Sequence, residues 1–408
     1  MKRKLDRPEE APAAARGTGS MPWLAASAAL VLVGAVAFVV VIRGSEPQRA
    51  WQAYLVNFLF WTGMAFGAVV FSAALRMTNA CWAGQIQRLA EAPASFLPFA
   101  FVLFWILYAG REYLFPWIHE PVPEKAAWLN VPFLFARDGV GILAFTASSV
   151  ALVHASVRRD RQAGAQQPAP LSGLARIERI LPPLVAVLYG FVLTLLAFDL
   201  IMSLDPHWLS TLFGAYYFVG SLYTGLAVLM LMAALLSRRK GGEAYVQPKQ
   251  LHDLGKLMLA FCLVTADFFF TQFLVIWYGN LSEETPFVIL RVRQSPWSTL
   301  SLTVLIVCFA LPFVVLLSRS AKKTPAAMIG LSLIILIGMW LERFLLVIPS
   351  LWAGETLPIG LAEALITAGF LGLMSFCLLL FFRRYPLVPI PGSWSGPGER
   401  GMNGRCHG

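Results

Sequence analysis

The sequence predicts an all-α polytopic transmembrane protein: ten spans, forming two four-helix bundles with one peripheral helix at each end. Three observations predict it. Of 408 residues, 58% are hydrophobic and 13% charged, whereas soluble domains carry about 25% charged residues. Mean hydropathy is +0.68. Apolar stretches recur from residue 22 to residue 382, each near the length that crosses a hydrocarbon core of about 30 Å.

In chain order the expected spans are 22–43, 54–75, 95–115, 131–156, 180–202, 211–236, 251–279, 298–318, 325–347 and 356–382. The first follows a basic stretch, MKRK, as a signal peptide would. No small-residue cleavage site follows VVVIRG, so a retained helix is expected. The second span, NFLFWTGMAFGAVVFSAAL, and the sixth, AYYFVGSLYTGLAVLMLMAAL, both place an aromatic pair before a glycine and a second glycine further on. Such an echo suggests an internal repeat. It divides the chain into a basic tail (1–21), a peripheral helix with a short loop (22–53), bundles at 54–202 and 203–347, a second peripheral helix (348–382) and a Pro/Gly-rich tail (383–408).

Charge orients the chain. The two tails and every second connection between spans hold 23 of the 32 Lys+Arg, against 5 in the opposite set: Arg43, Arg49, Lys125, Arg291 and Arg293. Positive residues stay cytoplasmic, so both termini are expected in the cytoplasm of a bacterial inner membrane. The net charge of +10 then reflects orientation and anionic lipid headgroups, and no nucleic-acid motif accompanies it. The five cysteines (81, 262, 308, 377, 406) form no CxxC or CxxCH, which argues against iron–sulfur ligation and c-type haem. Of five histidines only His154 and His252, the latter at the very start of the seventh span, fall in a span, so no axial pair for a b-haem is visible. No phosphate-binding loop or HExxH is present. No metal site and no cofactor of the chain's own are expected.

Several polar residues sit at span depth. Lys256, Asp267 and Tyr278 recur every 11 residues on the seventh span, with Thr271 one turn beyond Asp267. That spacing makes a stripe along one helix face. A mid-span carboxylate is costly unless it faces protein or water. Asp267 is thus either a buried acid holding a neighbouring helix or a station in a proton path, with Lys256, Thr271, Tyr278 and Glu363 beside it. Asp199, Asp205 and His207 cluster around the end of the fifth span in AFDLIMSLDPHW. Asp205 suits the cap of the next helix, with Pro206 at its first position. Alternatively, a quinone headgroup takes His207 as donor and Asp199 as proton acceptor. Arg111 and Arg137, each followed by an acid (Glu112, Asp138), and the Glu342–Arg343 neighbours are expected to pair helices, with Arg111 reaching Asp138.

Five stretches carry a resemblance: RAWQAYLVNFLFWTGMAFG, WLNVPFLFARDG, SLDPHWLSTLFGAYYFVG, HDLGKLMLAF and TQFLVIWYGNLSEET. They resemble the polysulfide reductase/nitrite reductase (NrfD-like) membrane-subunit superfamily. Within it they are most similar to the shorter such subunit (ActF) of alternative complex III, a bacterial quinol:electron-acceptor oxidoreductase. The resemblance covers about residues 50 to 290 and weakens toward 350. It departs at Asp138, where similar chains often keep the arginine without the acid. It implies ten helices with two bundles and no redox centre in this chain. It also implies haems and iron–sulfur clusters in partners: a larger paralogous membrane subunit, multihaem and monohaem cytochrome c subunits, and an iron–sulfur subunit. Quinol binding or proton conduction would follow from membership in such a complex. A secondary transporter and a purely structural membrane anchor are the competing readings. Paired Gly/Pro-broken spans, expected of a transporter, are weak here.

Overall fold

A computed structural model describes residues 21–80, 82–84, 86–164, 171–239, 245–352, 354 and 356–385, with backbone alone at 160–164 and 171–178. The expected tails, with Cys406 and His407, lie outside the described residues apart from 21 and 383–385, and Cys81 is also outside. The described chain is helical, without a strand, and ten helices are long and apolar enough to cross a membrane. It is a multi-pass integral membrane protein.

The spans are α1 (Met21–Ile42), α2 (Pro47–Met77), α3 (Ile86–Leu114), α4 (Val131–Arg159), α5 (Arg179–Leu204), α6 (Phe213–Ser237), α7 (Pro248–Gly279), α8 (Trp297–Leu317), α9 (Pro325–Ser350) and α10 (Leu361–Arg384). Several caps follow from sequence. Asn130 accepts from the Phe133 amide at 3.2 Å at the start of α4. Asn280 ends α7 in the left-handed conformation (φ 46°). The Asp205–His207 stretch does not start α6, contrary to expectation. The chain makes a short 3-10 turn at Met202–Leu204, then irregular turns, and α6 begins at Phe213. The third span also starts earlier than the apolar run, because a buried ion-pair knot described below lets QRLAE enter the helix.

The α2 helix is central: 94% of its most apolar window is buried, against 11% for α1. It packs on α5, α6, α9 and α10, while α4 packs on α5 and α6 packs on α7 and α9. The glycine echo marks the tightest crossing. A Cβ on Gly67 would lie 2.2 Å from the Ser221 carbonyl oxygen, and one on Gly225 would lie 2.4 Å from the Ala68 nitrogen. Backbones therefore touch between α2 and α6, as small-residue motifs allow in lipid. Side-chain hydrogen bonds reinforce the centre. Asn57 donates to Thr367 on α10 (2.9 Å) and accepts from the Trp340 indole on α9 (3.1 Å). Tyr217 donates to the Leu59 carbonyl (3.1 Å). Apolar side chains such as Leu32, Val36, Phe191 and Val314 face outward, as a lipid-bathed surface requires.

Candidate functional site

Between α6, α7, α8 and α9 lies a cavity of about 610 Å³, within the range of about 300–1,000 Å³ common for small-molecule sites. It sits in the half of these helices nearer the 201–212 and 280–296 connections, at the end opposite the Lys/Arg-rich loops. Its roof is Trp208 stacked on Phe287 at 3.7 Å, and Phe287 lies on the short helix Thr285–Arg293. Arg291 braces that helix. Its guanidinium donates to the carbonyls of Leu345 (3.0 Å), Leu346 (2.9 Å) and Phe287 (3.0 Å). Burial pulls the Arg291 guanidinium down to about 9, and the Asp205 carboxylate pushes it back up.

The wall is apolar and aromatic, and three of the residues lining it each carry a buried polar atom without a hydrogen bond: Trp208 Nε1, Gln272 Nε2 and Glu342 Oε2. Glu342 is held on its other oxygen. The Tyr216 hydroxyl donates to Oε1 at 2.5 Å and Arg343 Nη1 at 3.1 Å. Oε2 lies 2.8 Å from Arg343 Nη1 but off the N–H axis, so this is charge contact without a hydrogen bond. Arg343 in turn stacks on Tyr217 (4.2 Å) and reaches Ser221 (3.3 Å). On the far wall, α8 carries a π turn at Ile306–Ala310. The freed Cys308 carbonyl there accepts from the Tyr223 hydroxyl at 3.3 Å. Such turns recur at functional sites. Two buried donors and one buried acceptor thus belong to side chains that line an apolar slot. Orphaned buried polar groups cost roughly 1–3 kcal/mol each, and a polar-edged ring would relieve them.

Asp267 lines the same cavity and is exposed, and it makes no hydrogen bond or ion pair among the described residues. Thr271 is half-buried and Tyr278 is 87% exposed on the same helix. Lys256 pairs with Asp253 at 2.7 Å, about 16 Å along the axis from Asp267 at about 1.5 Å per residue. Glu363 is elsewhere. It accepts from Arg49 (2.9 Å) and from the Gly360 amide (2.9 Å) at the start of α10. The structure therefore gathers Asp267, Gln272 and Glu342, and leaves Lys256 and Glu363 in their own local pairs.

The Asp199, Asp205 and His207 group is dispersed. Asp199 is buried in α5 and accepts from Arg137 Nε (2.7 Å), Arg137 Nη2 (2.5 Å) and the Trp128 indole (2.9 Å). Asp205 acts on Arg291. His207 is exposed over a surface cleft lined also by Glu120, Glu124 and Glu283. The expected Arg111–Asp138 pair is corrected. Arg111 contacts Glu112 (3.3 Å) and stacks on Tyr108 (4.5 Å), while Arg137 takes Asp199. An extended side chain one helix over reaches a bidentate partner that a neighbour in sequence cannot offer.

One knot had no sequence forecast. Glu91, fully buried, accepts from Arg76 (2.5 Å), Arg88 (2.6 Å), Gln87 (3.3 Å) and Ser156 (2.9 Å). Its signal in sequence was the Arg88–Glu91 spacing of one turn ahead of an apolar run. No metal-binding group of three or more His, Cys, Asp or Glu occurs among the described residues.

Residues 40–354 match the family described as polysulphide reductase, NrfD. No curated protein matches the chain.

Proposed function

The chain belongs to the polysulphide reductase, NrfD family, and from that premise we propose that it is the membrane subunit of a quinol-oxidising complex of the alternative complex III type. The cavity between α6 and α9 is the quinol site in this reading. The observation that carries it is an apolar slot lined by three residues whose buried polar atoms lack a hydrogen bond: Trp208 Nε1, Gln272 Nε2 and Glu342 Oε2. A quinol has an apolar ring with one oxygen at each end. One oxygen accepts from Trp208 or Gln272, and the opposite hydroxyl donates to Glu342. Oxidation to quinone releases two electrons and two protons. Glu342 takes the proton of the hydroxyl it binds, Asp267 at the cavity rim passes it on, and the other hydroxyl gives its proton to water at that rim. The electrons leave to haem and iron–sulfur centres of partner subunits, among them multihaem and monohaem cytochromes c and an iron–sulfur protein. The larger paralogous membrane subunit would pack alongside.

The alternating basic loops orient this cavity toward the outer side of a bacterial inner membrane, with both termini cytoplasmic. Reporter fusions after residues 165 and 285 should report opposite sides, and a shared side refutes the orientation. The functional test is purification of the tagged chain from its native membrane in mild detergent. Co-elution of haem absorbance, and loss of the chain when the paralogous subunit is deleted, are expected. A colourless, stable, monomeric chain overturns the proposal in favour of a transporter.

A further inference from the structure

Away from the cavity, the α4–α5 contact holds an imbalance of charge. Asp138 and Asp199 are both fully buried, and Arg137 is the cation that acts on them. Asp199 is satisfied: the guanidinium grips both its oxygens, and the Trp128 indole adds a third donor. Asp138 has neither oxygen hydrogen-bonded. Its carboxyl nevertheless lies within hydrogen-bonding reach of the Asp199 carboxylate.

Two ionised carboxylates are acceptors only and repel each other at contact. An ionised carboxylate with no donor is also costly inside a membrane. Among the described residues no second cation acts on it. Asp199 comes from α5, and Arg137 is on its own helix. From α3, the rings of Trp105 and Phe104 cover the next residue, Gly139. The loop before α4 contributes Trp128, which stacks on Arg137 at 3.9 Å. One positive charge therefore faces two carboxyls, and a single proton resolves both faults. It neutralises Asp138 and turns an orphaned acceptor into a donor toward Asp199.

We propose that Asp138 and Asp199 form a proton-holding site, with the proton on Asp138 and shared toward Asp199, beneath the Trp128 indole. Trp128 is 43% exposed and the Arg137 side chain 10%, so these two side chains lie between the pair and the surface of the 115–130 connection. The site stores a proton near that surface and opens when Trp128 moves off Asp199. It does not depend on the cavity between α6 and α9 being a quinol site.

Infrared spectroscopy of the purified chain in lipid nanodiscs tests this directly. A protonated carboxyl gives a C=O stretch that shifts in D₂O and is distinct from ionised carboxylate bands. Wild type should show such a band at neutral pH, and Asp138→Asn should lose one component of it. Asn is the neutral, hydrogen-bond-donating isostere, so D138N should fold and keep the Arg137–Asp199 pair. Absence of any such band in wild type overturns the proposal without a variant. A band unchanged in folded D138N overturns it as well. Failure of D138N to accumulate where wild type does also counts against it, because a neutral donor at 138 is what the proposal requires. A band that appears only after sodium is replaced by choline would assign the site to a bound cation and overturn the proton. Trp128→Ala should leave the band in place and speed its exchange in D₂O at least tenfold, while an unchanged rate refutes the role given to the indole.

Discussion

Glu91, on α3, and Glu342, on α9, are both buried glutamates beside arginine. Their surroundings differ. Glu91 takes donors from two arginines, a glutamine and a serine, tying α2, α3 and α4 together. Glu342, which lines the cavity, has hydrogen-bond donors on one oxygen only, and its other oxygen has a charge contact with Arg343 but no hydrogen bond. The wall around it includes a π turn and two unpaired donors. Buried charge in the first case is glue between helices. In the second, on the proposed quinol reading, it is held ready for a group the chain does not supply. The difference teaches that ionisable residues at membrane depth are to be sorted by what satisfies them, since a saturated carboxylate has no capacity left for a substrate.

The contrast can be broken at its hinge. Gly67→Val inserts atoms where a Cβ alone would lie 2.2 Å from the Ser221 carbonyl oxygen. Backbone cannot yield there as a side-chain tip would. The variant should fail to accumulate in membranes, as immunoblotting would show, and normal accumulation would mean α2 and α6 are not locked at this crossing.

Glu91→Gln removes the carboxylate that Arg76 and Arg88 both contact, and breaking a buried pair costs about 3–5 kcal/mol. Thermal unfolding in detergent should show a large drop. Glu342→Gln should cost less, because Arg343 keeps the Tyr217 ring and Ser221, yet it should abolish labelling of the cavity by a photoreactive quinone. Equal stability losses, or labelling that persists in E342Q, would erase the distinction.

Trp208→Phe preserves the stack on Phe287 and removes one donor. A net hydrogen bond is worth about 0.5–1.5 kcal/mol, so quinone affinity should fall about two- to tenfold with unfolding unchanged. Asp267→Asn should leave assembly intact and lower proton uptake per electron in reconstituted vesicles. An unchanged ratio would remove Asp267 from the proton route. The smallest effect is expected from Lys256→Ala. Its exposed pair with Asp253 is worth about 0–1 kcal/mol, and the proton ratio should not change. A fall in that ratio would restore Lys256 to the path despite its distance from Asp267.

The ten spans were legible because lipid imposes one requirement on every segment: enough apolar length with all backbone groups bonded internally. The glycine echo of the second and sixth spans was legible too, and it turned out to mark a helix crossing. Which arginine meets which acid was not legible. Arg111 and Arg137 look alike in sequence, each followed by an acid, but only Arg137 is set where α5 presents Asp199. The stripe of Lys256, Asp267, Thr271 and Tyr278 is real as helical spacing. Spacing on one helix does not say what packs against it, however, and Lys256 and Asp267 end in different surroundings.

By itself the sequence determined the class, the span count and the polarity of the loops, since these follow from composition summed over windows of about 20 residues. Tertiary structure alone decided that Trp208, Gln272 and Glu342 face one slot, that Glu91 is saturated, and that Asp138 is buried without a donor. These residues are distant in the chain, and each hydrogen bond depends on angles and on atoms a few ångströms apart. Only the packing of one helix against another sets those.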